Sequence, residues 1–146
     1  MSQMIRDLMS TNVVSVSPQQ SIQEAAALMD QNDIGAIPVV ENGQVRGILT
    51  DRDITLRATA RGLAAHSPVS QCMSEGLKVA DANMDIHEAA RIMGENQIRR
   101  LPVVENGQLV GMLAIGDLAR QNIYQDEAEE ALSNISVPNA DGRDLY

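Results

Sequence analysis

Thr50 and Asp53 stand three residues apart at the end of an apolar run, with Asp51 beside them. Thr-x-x-Asp before a helix reads as a capping box, with threonine at the N-cap and aspartate at N3. An acid in the first turn also suits the helix dipole. The same two places recur as Ala114 and Asp117, so the acid is kept where the hydroxyl is lost. If capping were the only role, that copy would forgo a cap worth about 1 kcal/mol, and keeping the acid leans toward contact with a ligand. Arg99 and Arg100 occupy places held earlier by Gly35 and Ala36. Neighbouring strand residues point to opposite faces, so at most one of these arginines serves a given cleft. The other reading is a surface pair beside acidic neighbours. Covalent and metal chemistry find no support: there is no nucleophile–base pair, no P-loop and no ligand cluster around the two histidines, His66 and His87. The expectation is a protein that binds and does not catalyse.

These residues sit in a duplicated frame. Ala36 to Asp53 reads as strand, tight turn, strand and helix start, and it returns 64 residues later as Arg100 to Asp117. Seven residues from Pro38 to Gln44 reappear unchanged from Pro102 to Gln108. In both copies Asn-Gly (Asn42-Gly43, Asn106-Gly107) marks a hairpin whose turn positions need positive φ. Upstream of the first hairpin, Ser2 to Met9 reads as a helical turn and Val13 to Val16 as a strand. Ser21-Ile22-Gln23-Glu24 reads as a capping box that opens a helix to about Gln31. A helix from Thr50 to about Arg61 follows. The second copy repeats the order: a strand Leu77 to Ala80, a helix capped at Asp85, the hairpin, and a helix from Gly116 to Tyr124. Each unit is strand, helix, strand, strand, helix. The spans expected are 1–62 for the first repeat with its lead-in, 63–71 for the linker and 72–122 for the second repeat. Residues 123–146 form an acidic segment, solvated apart from a helical turn over Ala128 to Leu132, and a mobile tail from Ser136.

At 146 residues the chain is one domain or two small halves. Each half is of a size at which a lone core is marginal, which favours a core shared between the copies. That core must be aliphatic, with no Phe or Trp and two tyrosines. The eight methionines suit core or dimer contacts. A net charge of −9 disfavours nucleic acid and anionic membranes as partners. Cys72 is the one cysteine, which rules out an intrachain disulfide. With no signal pattern at the N-terminus and no long apolar run, the expected location is the cytoplasm. Arg52 and Arg57 read as helix-surface charges, and His87 as exposed.

The order of elements resembles the cystathionine-β-synthase (CBS) domain family, and the tandem pair resembles a Bateman module. The strings carrying the resemblance are the two h-P-V-V segments, the Asn-Gly hairpins and Gly47-Ile48-Leu49-Thr50-Asp51-Arg52-Asp53, a full match to G-h-h-T-x-x-D. Asp33 to Pro38, Leu49 to Asp53 and Gln97 to Pro102 resemble small stand-alone bacterial pairs of the hypoxic-response type. The resemblance covers residues 1 to about 122. It implies an α/β (α+β) fold of two β-α-β-β-α repeats packed about a pseudo-two-fold axis. It also implies an adenosine-containing ligand (AMP, ADP, ATP or S-adenosylmethionine) in clefts between the repeats.

Carried onto this chain, the resemblance gives Thr50 and Asp53 the ribose hydroxyls, and a carboxylate can accept from both vicinal hydroxyls. Ser15, Val16, Ala36, Ile37 and Pro38 would flank the adenine. In the second copy Leu101, Pro102 and Asp117 take the matching places, Ala114 weakens ribose recognition, and Arg99 or Arg100 would meet phosphate. Pro38 and Pro102 also read as plain strand-start residues. No cofactor is required. The family implies a homodimer of pairs, and because no effector domain is attached, the effector would be another protein. The alternative is a ligand-free dimerisation or interaction module.

Overall fold

The computed structural model describes residues 3–119 and 125–136. The chain is a mixed α and β protein that divides into two compact units. One holds Val14–Leu77 with Gly107–Leu109. The other holds, over the described residues, 3–13, 78–106, 110–119 and 125–136.

In the first-copy unit, α1 (Ile22–Asn32) starts where Ser21 accepts from the Glu24 N–H at 3.0 Å. The expected return bond from Glu24 is replaced: its carboxylate accepts from the Gln20 side chain at 3.0 Å. Asp33 ends the helix in the left-handed region (φ 52°). Strands β1 (Ala36–Glu41) and β2 (Gln44–Thr50) pair antiparallel through a turn with φ 53° at Asn42 and 80° at Gly43, as Asn-Gly demands. The strand expected over Val13 to Val16 shrinks to a single bridge. Val16 donates to the Pro38 carbonyl at 3.1 Å and accepts from the Val40 N–H at 2.7 Å, parallel to β1. After β2 comes α2 (Asp51–Asp53), which runs on as a π-helical stretch, Ile54–Thr59. Ala25, Met29, Ile37, Val39 and Leu49 lie at the heart of this unit's aliphatic core.

The second-copy unit repeats this plan. The strand expected over Leu77 to Ala80 is only two residues, β3 (Ala80–Asp81), parallel to β4 (Arg100–Glu105), which pairs with β5 (Gln108–Ala114) in the order β3-β4-β5. Helix α3 (Ile86–Asn96) is capped by Asp85, which accepts from the His87 N–H at 2.8 Å. It is followed after the hairpin by α4 (Ile115–Ala119). The remainder of the expected last repeat helix, 120–124, lies outside the described residues.

Two expectations change here. The lead-in, read with the first repeat, packs with the second copy: the Ile5 N–H donates to Met84 at 2.9 Å, and Ser10 and Met112 exchange two backbone bonds of 2.9 Å. Ile5, fully buried in that core, opens a 3-10 turn, Ile5–Asp7. The acidic segment is not simply solvated. It forms α5 (Gln125–Ser136), which packs on α3 and α4 and buries Ala128, Ala131 and Ile135. A glycine on α3 permits this: a Cβ at Gly94 would come within 3.3 Å of the Ala131 Cα. The tail expected to be mobile lies, beyond Ser136, outside the described residues.

Candidate functional site

Thr50 ends β2 and Asp53 closes the first turn of α2, so strand register and helix start together fix their distance. The capping box is complete. The Thr50 hydroxyl accepts from the Asp53 N–H at 3.0 Å, and Asp53 Oδ2 accepts from the Thr50 N–H at 3.0 Å. Both residues are buried, at 7% and 9% exposure, the two polar side chains among the buried described residues. No acceptor among the described residues takes the hydrogen of the Thr50 hydroxyl.

Asp53 gathers further donors. Ser74 Oγ lies 3.2 and 3.3 Å from its two oxygens, and Arg57 Nε lies 3.9 Å from Oδ1. Arg57 also donates to the Met73 carbonyl at 3.2 Å, so it is more than the helix-surface charge expected. Cys72 lies in the same neighbourhood. Burial pushes its thiol pKa up, the Asp53 charge pushes it further, and Arg57 opposes them.

The other first-copy residues fall into place around this pair. Ala36 pairs with Thr50 across the hairpin, and the Asp51 N–H donates to the Gly35 carbonyl at 2.9 Å. Val16 lies alongside Pro38. Val16 and Ile37 are core residues at 2% and 0% exposure, so their side chains are committed to packing. What that edge can offer a ligand is its backbone and the exposed Ser15.

In the second copy Asp117 Oδ2 accepts from the Ala114 N–H at 2.8 Å. This half-box weakens one inference from the sequence: the acid has a structural reason to persist without threonine. Arg99 is exposed, and its carbonyl accepts from the Ile115 N–H at 2.9 Å. Arg100 is half-buried at the start of β4, while Leu101 and Pro102 are buried. His87 is half-exposed, as expected, and pairs with Glu127 at 2.9 Å. A groove of about 340 Å³ between α3 and α5 is lined by His87, Arg91, Glu95, Glu127 and Glu130 among others, and holds none of the expected site residues. No three His, Cys, Asp or Glu side chains among the described residues converge on a metal position. No described helix is long and apolar enough to cross a membrane.

Ser74 is the residue that sequence reasoning missed. The signal was available: the 64-residue offset sets Met73-Ser74 on Met9-Ser10. Each serine bridges the strand after the Asn-Gly turn, Ser74 to Ile48 and Ser10 to Met112. Gly47, read only as part of the ligand motif, makes this approach possible. A Cβ there would lie 2.5 Å from the Ser74 carbonyl oxygen. Gly111 stands in the same relation to Ser10, at 2.9 Å.

The CBS domain family model matches residues 5–58 and 69–123. The chain belongs to the CBS domain family, as a tandem pair. It is 50% identical over 135 residues to the CBS domain-containing protein YhcV of Bacillus subtilis, covering 92% of this chain and 96% of that one. It is 35% identical over 117 residues to Hypoxic response protein 1 of Mycobacterium tuberculosis, covering 79% and 82%. The crystal structure of Hypoxic Response Protein I, with two coordinated zinc ions, superposes with a TM-score of 0.76 at 34% identity, covering 82% of this chain and 98% of that one. The fold is shared, at 23% identity and a TM-score of 0.74, with CBSX2 in complex with AMP, over 84% and 98% of the chains. CBS pairs are regulatory modules, and this chain is one of them.

Proposed function

We propose that this CBS pair is a non-catalytic sensor of an adenosine-containing ligand of the AMP, ADP, ATP or S-adenosylmethionine class, with the ribose at Thr50 and Asp53. The observation that carries the reading is the unspent hydrogen of the Thr50 hydroxyl beside a buried carboxylate that retains acceptor capacity. A carboxylate offers about four lone-pair sites, and a vicinal diol needs both a donor and acceptors. The AMP complex of a protein of the same fold supports the ligand class. Asp51 and Asp53 disfavour phosphate at that spot, so the phosphates point away from both carboxylates. The module acts as a cytoplasmic homodimer and passes its state to a separate effector protein. Binding shifts the balance between two arrangements only to the extent that the ligand prefers one of them.

Isothermal titration with AMP, ATP and S-adenosylmethionine tests this. Heat and a raised melting temperature are expected for at least one ligand, and Asp53→Ala should abolish both while the dimer persists in sedimentation. Absence of heat and of any melting shift for every adenosyl ligand at millimolar concentration refutes it and leaves the pair as a structural or interaction module.

A further inference from the structure

We propose that Ser74 is a positioning residue of the Thr50–Asp53 site, setting the orientation of the Asp53 carboxylate so that it meets both hydroxyls of a ribose. The inference rests on the adenosyl reading above and deepens it. Ser74 Oγ lies almost equally far from the two Asp53 oxygens, at 3.2 and 3.3 Å. A donor in that position resists rotation of the carboxylate, because any turn lengthens one contact. The Thr50 N–H, at 3.0 Å on Oδ2, fixes the second reference point. The serine cannot drift, because its backbone is tied to Ile48 in both directions, at 2.8 and 3.0 Å. Arg57 reinforces the arrangement by holding the Met73 carbonyl while its Nε faces Asp53.

Gly47 supplies an observation of a different kind. It lacks the Cβ that would meet the Ser74 carbonyl oxygen at 2.5 Å and the Met73 sulfur at 3.2 Å. The motif Gly47-x-x-Thr50-x-x-Asp53 therefore encodes a place for Ser74 as well as the two residues that bracket it. Because Ser74 comes from the segment that follows the first copy, the Asp53 carboxylate is tied to the end of a segment that Val69 and Ser70 anchor on Gln20 and Pro18 at 2.9 and 3.1 Å. A ligand that tightens Asp53 tightens that segment, whose buried Cys72 thiol reports on it.

Two measurements test the proposal. The first needs no nucleotide. The rate at which a disulfide reagent labels Cys72 is compared in the wild type, Ser74→Ala, Asp53→Ala and the double variant. A hydrogen bond to a charged group corresponds to a rise of about tenfold in Ser74→Ala. In the double variant the serine change should add little to Asp53→Ala, because the partners act as a unit. Multiplying effects overturn the coupling.

The second compares AMP with 2′-deoxy-AMP by titration. Ser74→Ala should weaken AMP about tenfold while 2′-deoxy-AMP changes little, and Ser74→Thr should restore the preference. Equal loss for both nucleotides overturns the positioning role in favour of general loosening. If the wild type binds neither nucleotide, the ribose reading and the recognition role of Ser74 both fall. The labelling cycle then decides separately whether Ser74 and Asp53 are coupled.

Discussion

Removing the threonine hydroxyl should be felt first in stability. Thr50→Ala deletes the acceptor of the 3.0 Å bond from the Asp53 N–H at a position only 7% exposed. Loss of an N-cap of this kind costs about 1 kcal/mol. The buried methyl adds about 0.8 kcal/mol of lost transfer energy. The return bond from Asp53 to the residue-50 N–H should survive, because the second copy keeps it at 2.8 Å with alanine in that place. The sum is about 2 kcal/mol, or a melting temperature lower by about 4–8 °C for a chain of this size. The opposite change, Ala114→Thr, should supply a missing cap to Asp117 and raise stability by about 0.5–1 kcal/mol. Urea titration checks both, read as a shift in midpoint at constant slope. Thr50→Ala within about 0.5 kcal/mol of wild type, the range of neutral surface changes, would show that the box does not stabilise this turn. A destabilising Ala114→Thr would show that the two copies differ in more than the missing hydroxyl.

Gly47→Ala should cost about 1–3 kcal/mol by overpacking, since the new methyl meets a backbone oxygen, and should raise Cys72 labelling in the same protein. Gly94→Ala brings its methyl within 3.2 Å of Asn134 and 3.3 Å of Ala131. Faster hydrogen exchange confined to residues 125–136 and the facing turn of α3 is the expected readout. For Cys72 the folded thiol pKa is raised, so above its ordinary value of about 8.5 the unfolded chain releases the proton first. Stability should therefore fall more steeply at alkaline pH in the wild type than in Cys72→Ala, and equal slopes would contradict the burial argument.

Much of each repeat was legible in the sequence because its causes are local. The Asn-Gly turns require positive φ at adjacent residues, and both hairpins close there with the expected geometry. The Thr50–Asp53 box spans four residues and forms with both of its bonds. The strands before each first helix were over-read. Val13 to Val16 and Leu77 to Ala80 have strand-like composition, but only Val16 and Ala80–Asp81 reach a partner. Composition states a preference, and pairing needs a neighbour at the right height. The acidic segment was under-read for the opposite reason. Its glutamates suggest solvent, while the three small or apolar residues spaced along one face, Ala128, Ala131 and Ile135, matter only once Gly94 offers a surface to pack on.

The sequence by itself therefore determined the duplication, the turns, the helix caps and the inequality of Thr50 and Ala114, because each depends on residues within a few positions or on comparison of the two copies. Tertiary structure decided what meets Asp53. Ser74 is 21 residues away in the chain and reaches the carboxylate only because β2 carries a glycine where the following segment crosses it. It also decided that the lead-in completes the second copy and that α5 covers α3. Contacts at such separations are set by the path of the whole chain and by which surfaces remain open after the local elements have formed.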